Sequence, residues 1–107
     1  MAGCHSDCCA ILSYLPISGG WWSGISVTNL SQHEGSFSIA IVSETEKVLK
    51  TYKVPAFGIK TLVVNELINA PHAFAVIKTS FSSRVVGFGG DATGAFALPA
   101  TGCGACQ

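Results

Sequence analysis

The sequence predicts an all-β fold: one antiparallel β-sandwich of seven to eight strands with at most one short helical turn. Three observations carry this reading. Short runs alternate with period two, turn residues (Gly, Ser, Asn, Pro) separate them at intervals of about 8 to 12 residues, and no helix-length stretch has a 3.6-residue period. A chain of 107 residues sets a single domain, 1–107, with cysteine-bearing ends at 1–9 and 103–107 and no internal repeat or linker.

The first strand is Ala10 to Leu15, stopped by Pro16 and a Ser18-Gly19-Gly20 turn. The second opens at Trp21 and Trp22 and continues through Ile25 and Val27 to Asn29. Ser36 to Ile41 is the cleanest alternation, with Phe37, Ile39 and Ile41 on one face and small residues on the other. A polar loop, Ser43 to Lys47, turns it into a hairpin with Val48 to Val54; there Val48, Tyr52 and Val54 share one face while Lys47, Thr51 and Lys53 share the other. Pro55 ends that strand. Phe57 to Asn65 forms the fifth, and its Leu62-Val63-Val64 run predicts burial on both faces or at a subunit contact. One helical turn at Asn65 to Ile68, capped by the Asn65 side chain, closes before Pro71. Phe74 to Ser80 and Arg84 to Phe88 flank a Ser82-Ser83 turn, and glycine-rich Gly89 to Gly94 leads to an eighth, edge strand at Ala95 to Leu98.

Composition narrows the function classes. Hydrophobic residues make up 49% of the chain and charged residues 11%, under half of the roughly 25% usual in soluble domains. Six basic residues balance six acidic ones, so the excess of Lys and Arg that phosphate binding requires is missing and nucleic acid is not an expected partner. Mean hydropathy is +0.48, yet no window reaches the roughly 18 to 20 consecutive apolar residues of a membrane span. The apolar surplus and zero net charge instead predict self-association. Met1 to Cys9 carries no Lys or Arg, so the expectation is a cytoplasmic protein if the chain is full length and an extracellular one if a signal was removed.

All five cysteines fall in the first nine or last five residues, in Cys4-His5-Ser6-Asp7-Cys8-Cys9 and Cys103-Gly104-Ala105-Cys106. A C-x-x-C pair with Gly inside it can aim two thiolates at one ion, and Cys4, Cys8 and Cys9, with His5 as a nitrogen alternative, can supply the rest of a tetrahedral zinc or iron-sulfur site if the two ends meet. Disulfides between the ends are the competing reading: a bridge closing a loop of roughly 100 residues stabilises by about 4.7 kcal/mol in the chain-entropy model. Five is odd, so any such scheme leaves a free thiol, and free thiols throughout are the third alternative.

Trp21 and Trp22 are candidate binding residues, placing large amphipathic rings on opposite faces of a strand. Trp21 is in phase with Ile25 and Val27 and is expected inside; Trp22 is then the surface ring, suited to a subunit, another protein or a carbohydrate. Catalytic sets are thin, and the chain is expected not to be an enzyme; His72, Arg84 and Asp91 form a site only if subunits bring them together. Gly87 to Ala92 fits a loose dinucleotide pattern but lacks the following helix, and reads as a glycine turn. Asn29-Leu30-Ser31 has the form of a glycosylation acceptor.

Gly24-Ile25-Ser26-Val27-Thr28-Asn29, Val54-Pro55-Ala56 and Val64-Asn65-Glu66-Leu67, in that order, resemble small bacterial β-sandwich modules of unassigned function. With Phe74 to Ser80 followed by Arg84-Val85-Val86, the same order resembles the sensory-rhodopsin transducer family. The resemblance implies a small oligomeric β-sandwich and brings no site residues with it. The resulting expectation is a non-catalytic binding, adaptor or assembly module that forms homo-oligomers, with a metal-thiolate protein as the alternative.

Overall fold

The computed structural model describes residues 8–98 and 100–102, with side chains described for residues 10–98 and 100. These residues form nine strands and one 3-10 turn. The strands are β1 (Cys8–Pro16), β2 (Trp22–Asn29), β3 (Gly35–Val42), β4 (Lys47–Val54), β5 (Ile59–Val63), β6 (His72–Thr79), β7 (Ser83–Asp91), β8 (Gly94–Leu98) and β9 (Thr101–Gly102), with the turn at Val64–Glu66. They build two antiparallel sheets, a five-stranded one in the order β4-β3-β6-β1-β9 and a four-stranded one in the order β5-β2-β7-β8.

Alternation decides the two faces of each sheet. In β3, Phe37, Ile39 and Ile41 are buried while Ser38 is exposed; in β2, Ser23, Ile25, Val27 and Asn29 are buried on the inner side. These meet Leu12, Leu15, Val54, Leu62, Ala75 and Ile77 in one core that draws on both sheets. Each buried Leu, Ile, Val or Phe contributes about 1.5–3 kcal/mol over its exposed state, so this pattern outweighs any preference on the outer faces. The β3–β4 hairpin pairs Gly35 with Val54 through Val42 with Lys47. Ser43 closes its loop, its hydroxyl accepting from the amides of Thr45 and Glu46.

Several expectations change. Strand β1 shifts register between Leu12 and Leu15, and this irregularity brings two residues of opposite phase to the core, both fully buried. Of the two expectations for the Leu62-Val63-Val64 run, burial on both faces within the chain does not hold: Leu62 of β5 and Val64 of the following turn are inside, and Val63 is 37% exposed. The 3-10 turn starts one residue earlier than expected, which puts Val63, a side chain with no acceptor, at its N-cap and Asn65 inside the turn. The glycines from 87 to 90 lie within β7 and not in a turn. A ninth, two-residue strand brings Thr101 and Gly102 beside Ile11 and Ala10.

Asn29 is fully buried. Its Nδ2 donates to the carbonyls of His33 (2.8 Å), Val54 (3.2 Å) and Pro55 (3.3 Å), and its Oδ1 accepts from the amide and hydroxyl of Ser31. The nitrogen that a glycan would occupy is a buried donor, so the acceptor motif reads as a structural knot.

Candidate functional site

The β1–β2 connection places one ring at the end of the molecule and one on a sheet face. Gly19 and Gly20 adopt φ of +66° and +88°, a backbone state that side chains other than glycine rarely take. The Trp21 amide donates to the Ser18 carbonyl, and the Asn65 side chain clamps both sides of the turn: its Nδ2 donates to the carbonyls of Ile17 and Trp21, and its Oδ1 accepts from the Ser23 amide. Trp21 keeps the side of the sheet that Phe96 and Leu98 face, but it stands before the first residue of β2 and is not enclosed by the core. Trp21 precedes β2, is 36% exposed, and stacks on Phe96 of β8 with centroids 5.3 Å apart and planes 18° from parallel. Beside this stack lies an apolar cleft of about 290 Å³ between Tyr14, Pro16, Trp21, Pro71, Phe96 and Leu98. The Ser18 hydroxyl at its rim is committed to the Pro71 carbonyl, and Tyr14 packs its ring on His72. Among the described residues, no charged side chain lines the cleft.

Trp22 lies on the outer face of the four-stranded sheet, half-buried, with its ring edge-on to Phe88 at 5.7 Å. The Phe88 ring covers Gly24 on the neighbouring strand, where a Cβ would collide with it. Ladder register then fixes the rest of this face: Ile59, Thr61 and Val63 from β5, Ser26 and Thr28 from β2, Arg84 and Val86 from β7, Ala95 and Ala97 from β8. Ile59 is 61% exposed and Val86 42%, and Arg84 is the one charged side chain on the face among the described residues. The outer face of the five-stranded sheet differs: Leu49 and Phe74 are exposed there too, but Lys47, Lys53 and Lys78 stand among them.

Cys4, His5, Cys103 and Cys106 lie outside the described residues; Cys8 and Cys9 enter through their backbone alone, in β1 opposite Thr79 and Lys78. Gly102, next to Cys103 in the chain, pairs with Ala10, next to Cys9, so the two cysteine-bearing segments leave adjacent strands. No cluster of three or more His, Cys, Asp and Glu side chains that could hold a metal occurs among the described residues. His72, Arg84 and Asp91 are not brought together within the chain. Arg84 and Asp91 sit at opposite ends of β7, about 23 Å apart at ~3.3 Å per residue, and His72 opens β6 in the other sheet. Asp91 serves its own turn: its carboxylate accepts from the Thr93 hydroxyl and amide, and those bonds hold its pKa below the ordinary 3.8. Sequence reasoning missed Phe88, Phe96 and Tyr14. The pairing of Gly24 opposite Phe88 was the available signal for the first, but only register reveals it.

No family model and no curated protein matches the chain. Among solved structures it is similar to the Anabaena sensory rhodopsin transducer, with a TM-score of 0.63 and 19% identity over 75% of this chain and 80% of that one. It is also similar to Thermotoga maritima 1070, with a TM-score of 0.62 and 12% identity over 89% of this chain and 90% of that one. Identities this low speak for a shared fold. No helix among the described residues is long and apolar enough to cross a membrane.

Proposed function

We propose that this chain is a non-catalytic β-sandwich module of binding and assembly, which associates with copies of itself through the outer face of its four-stranded sheet. The observation that carries the reading is that face: Trp22, Val63, Val86 and Phe88 with Arg84 as its single charge among the described residues. Scattered exposed apolar residues need no explanation, but a contiguous charge-poor face on a chain of zero net charge does. Strands of five, eight, nine and five residues span an area on the order of 400 Å², below the roughly 800 Å² per partner of a standard stable interface. Association through this face alone is therefore weak and depends on concentration. The aromatic cleft beside Trp21 and Phe96 is the module's second surface, with room for a small apolar side chain or ring from a protein or carbohydrate partner. Sedimentation of the full chain tests the reading: a mass above 11.1 kDa that falls on dilution supports it, and a monomer at all micromolar concentrations overturns it.

A second reading is supported by the pairing of Ala10, next to Cys9 in the chain, with Gly102, next to Cys103. A zinc or iron-sulfur site of Cys4, Cys8, Cys9, Cys103 and Cys106, with His5 as an alternative ligand, requires that proximity. Elemental analysis of the native protein giving no stoichiometric metal, with a thiol titration unchanged by chelator, removes it.

A further inference from the structure

The two sheets have four edge strands, and three of them are protected. On β4, Lys47, Lys50 and Lys53 place a charge at every third residue; β5 turns Lys60 inward, its ammonium 5.1 Å from the Tyr52 ring centroid; and β9 has two residues among those described. Charges on the edge, inward-pointing charges and short edges all oppose pairing with another chain. Strand β8, Gly94–Leu98, carries none of these: Gly-Ala-Phe-Ala-Leu has no charge, its first four residues are exposed, and no described strand pairs with its outer side.

Ladder phase identifies the free backbone groups. The Leu30 amide donates to the Ser82 carbonyl, and the Asn29 amide turns the other way to Gly58. Even-numbered residues of β2 therefore bond to β7, through Arg84, Val86, Phe88 and Gly90, which leaves odd-numbered residues of β7 bonding to β8. Gly89 pairs with Phe96 and Gly87 with Leu98, so Phe96 and Leu98 are spent on β7, and Ala95 and Ala97 aim their amides and carbonyls outward.

We infer that β8 pairs antiparallel with β8 of a second copy, on a two-fold axis at Phe96, joining the two four-stranded sheets into one. This inference rests on the self-association proposed for the sheet face and names a further surface for it. In this register Ala95 lies opposite Ala97 of the second copy and Ala97 opposite its Ala95, which satisfies all four outward backbone groups on each strand. Sizes match as well. Leu98 faces the Gly94 position of the second copy, and the two Phe96 rings, each backed by its own Trp21, meet at the axis. A register shifted to centre on Ala95 leaves the Ala97 groups opposite the turn and satisfies half as many.

Two double substitutions at exposed positions test the register. In Ala95→Lys/Ala97→Lys every outward cross-copy pair sets lysine against lysine; in Ala95→Lys/Ala97→Glu every such pair sets lysine against glutamate. Sedimentation equilibrium of the full chain should give the Lys/Lys chain a dimer Kd about tenfold or more above that of the Lys/Glu chain, with equal thermal midpoints. The difference should persist when both carry Val86→Lys, which removes the sheet-face contact on which Ala95 and Ala97 also lie. Equal dissociation constants for the two overturn the edge pairing while leaving self-association through the sheet face standing. A wild-type chain that is monomeric throughout overturns both.

Discussion

Asn29 shows how much one side chain can hold. It is fully buried and joins the end of β2 to the loop before β3 and to the end of β4. Replacement by Ala leaves the Val54 carbonyl and the Ser31 amide without that partner, and each buried unsatisfied group costs about 1–3 kcal/mol. Asn29→Ala should lose about 2–4 kcal/mol, which for a chain near 100 residues lowers the thermal midpoint by on the order of 10–20 °C, measurable by calorimetry. At Asp91, hydrogen bonds from the Thr93 hydroxyl and amide hold the carboxyl below its ordinary 3.8. A lowered carboxyl stabilises the fold fully above that ordinary value and loses its contribution as pH falls through the folded value. Thr93→Ala should raise the Asp91 pKa towards 3.8 in an NMR titration. Neither role is visible without coordinates: in the sequence Asn29 only has the form of a glycosylation acceptor, and Asp91 only falls in a stretch that reads as a glycine turn.

Strands were legible where alternation was clean and missed where glycine replaced it. The β3–β4 hairpin follows from Phe37, Ile39 and Ile41 against a polar loop. Strand β7 was cut short at Phe88 because Gly89 and Gly90 carry no side chain to alternate, yet the strand continues to Asp91. Those glycines are there for space. A Cβ on Gly87 would run into the Leu12 side chain, and one on Gly89 would lie 2.8 Å from the Trp22 carbonyl. Gly87→Ala should destabilise by about 1–3 kcal/mol in urea denaturation, through overpacking of the core against Leu12. The expected burial of Trp21 failed for a different reason: it lies on the side of Phe96 and Leu98 but before the start of β2, so alternation gives its side and not its depth.

For the molecule as a whole, the low charge of the sequence resolves into a distribution. Lysines collect on the five-stranded sheet and its β4 edge, while the outer face of the four-stranded sheet and the β8 edge carry almost none. Composition gave the surplus of apolar surface but not its address, since register alone decides which of two alternating sets faces out. The cysteine-bearing ends are a separate matter, and elemental analysis of the native protein probes them independently of association. Everything proposed for the two-sheet body depends on self-association through the charge-poor sheet face, and Val86, 42% exposed near its middle, is the position to probe. The decisive measurement is sedimentation equilibrium of Val86→Lys beside the wild-type chain. Association through this face predicts a concentration-dependent oligomer for the wild type and a dissociation constant raised about tenfold or more by the unpaired charge, with the fold intact. A wild-type chain that sediments at 11.1 kDa throughout, or a Val86→Lys chain that associates as tightly as the wild type, is incompatible with it.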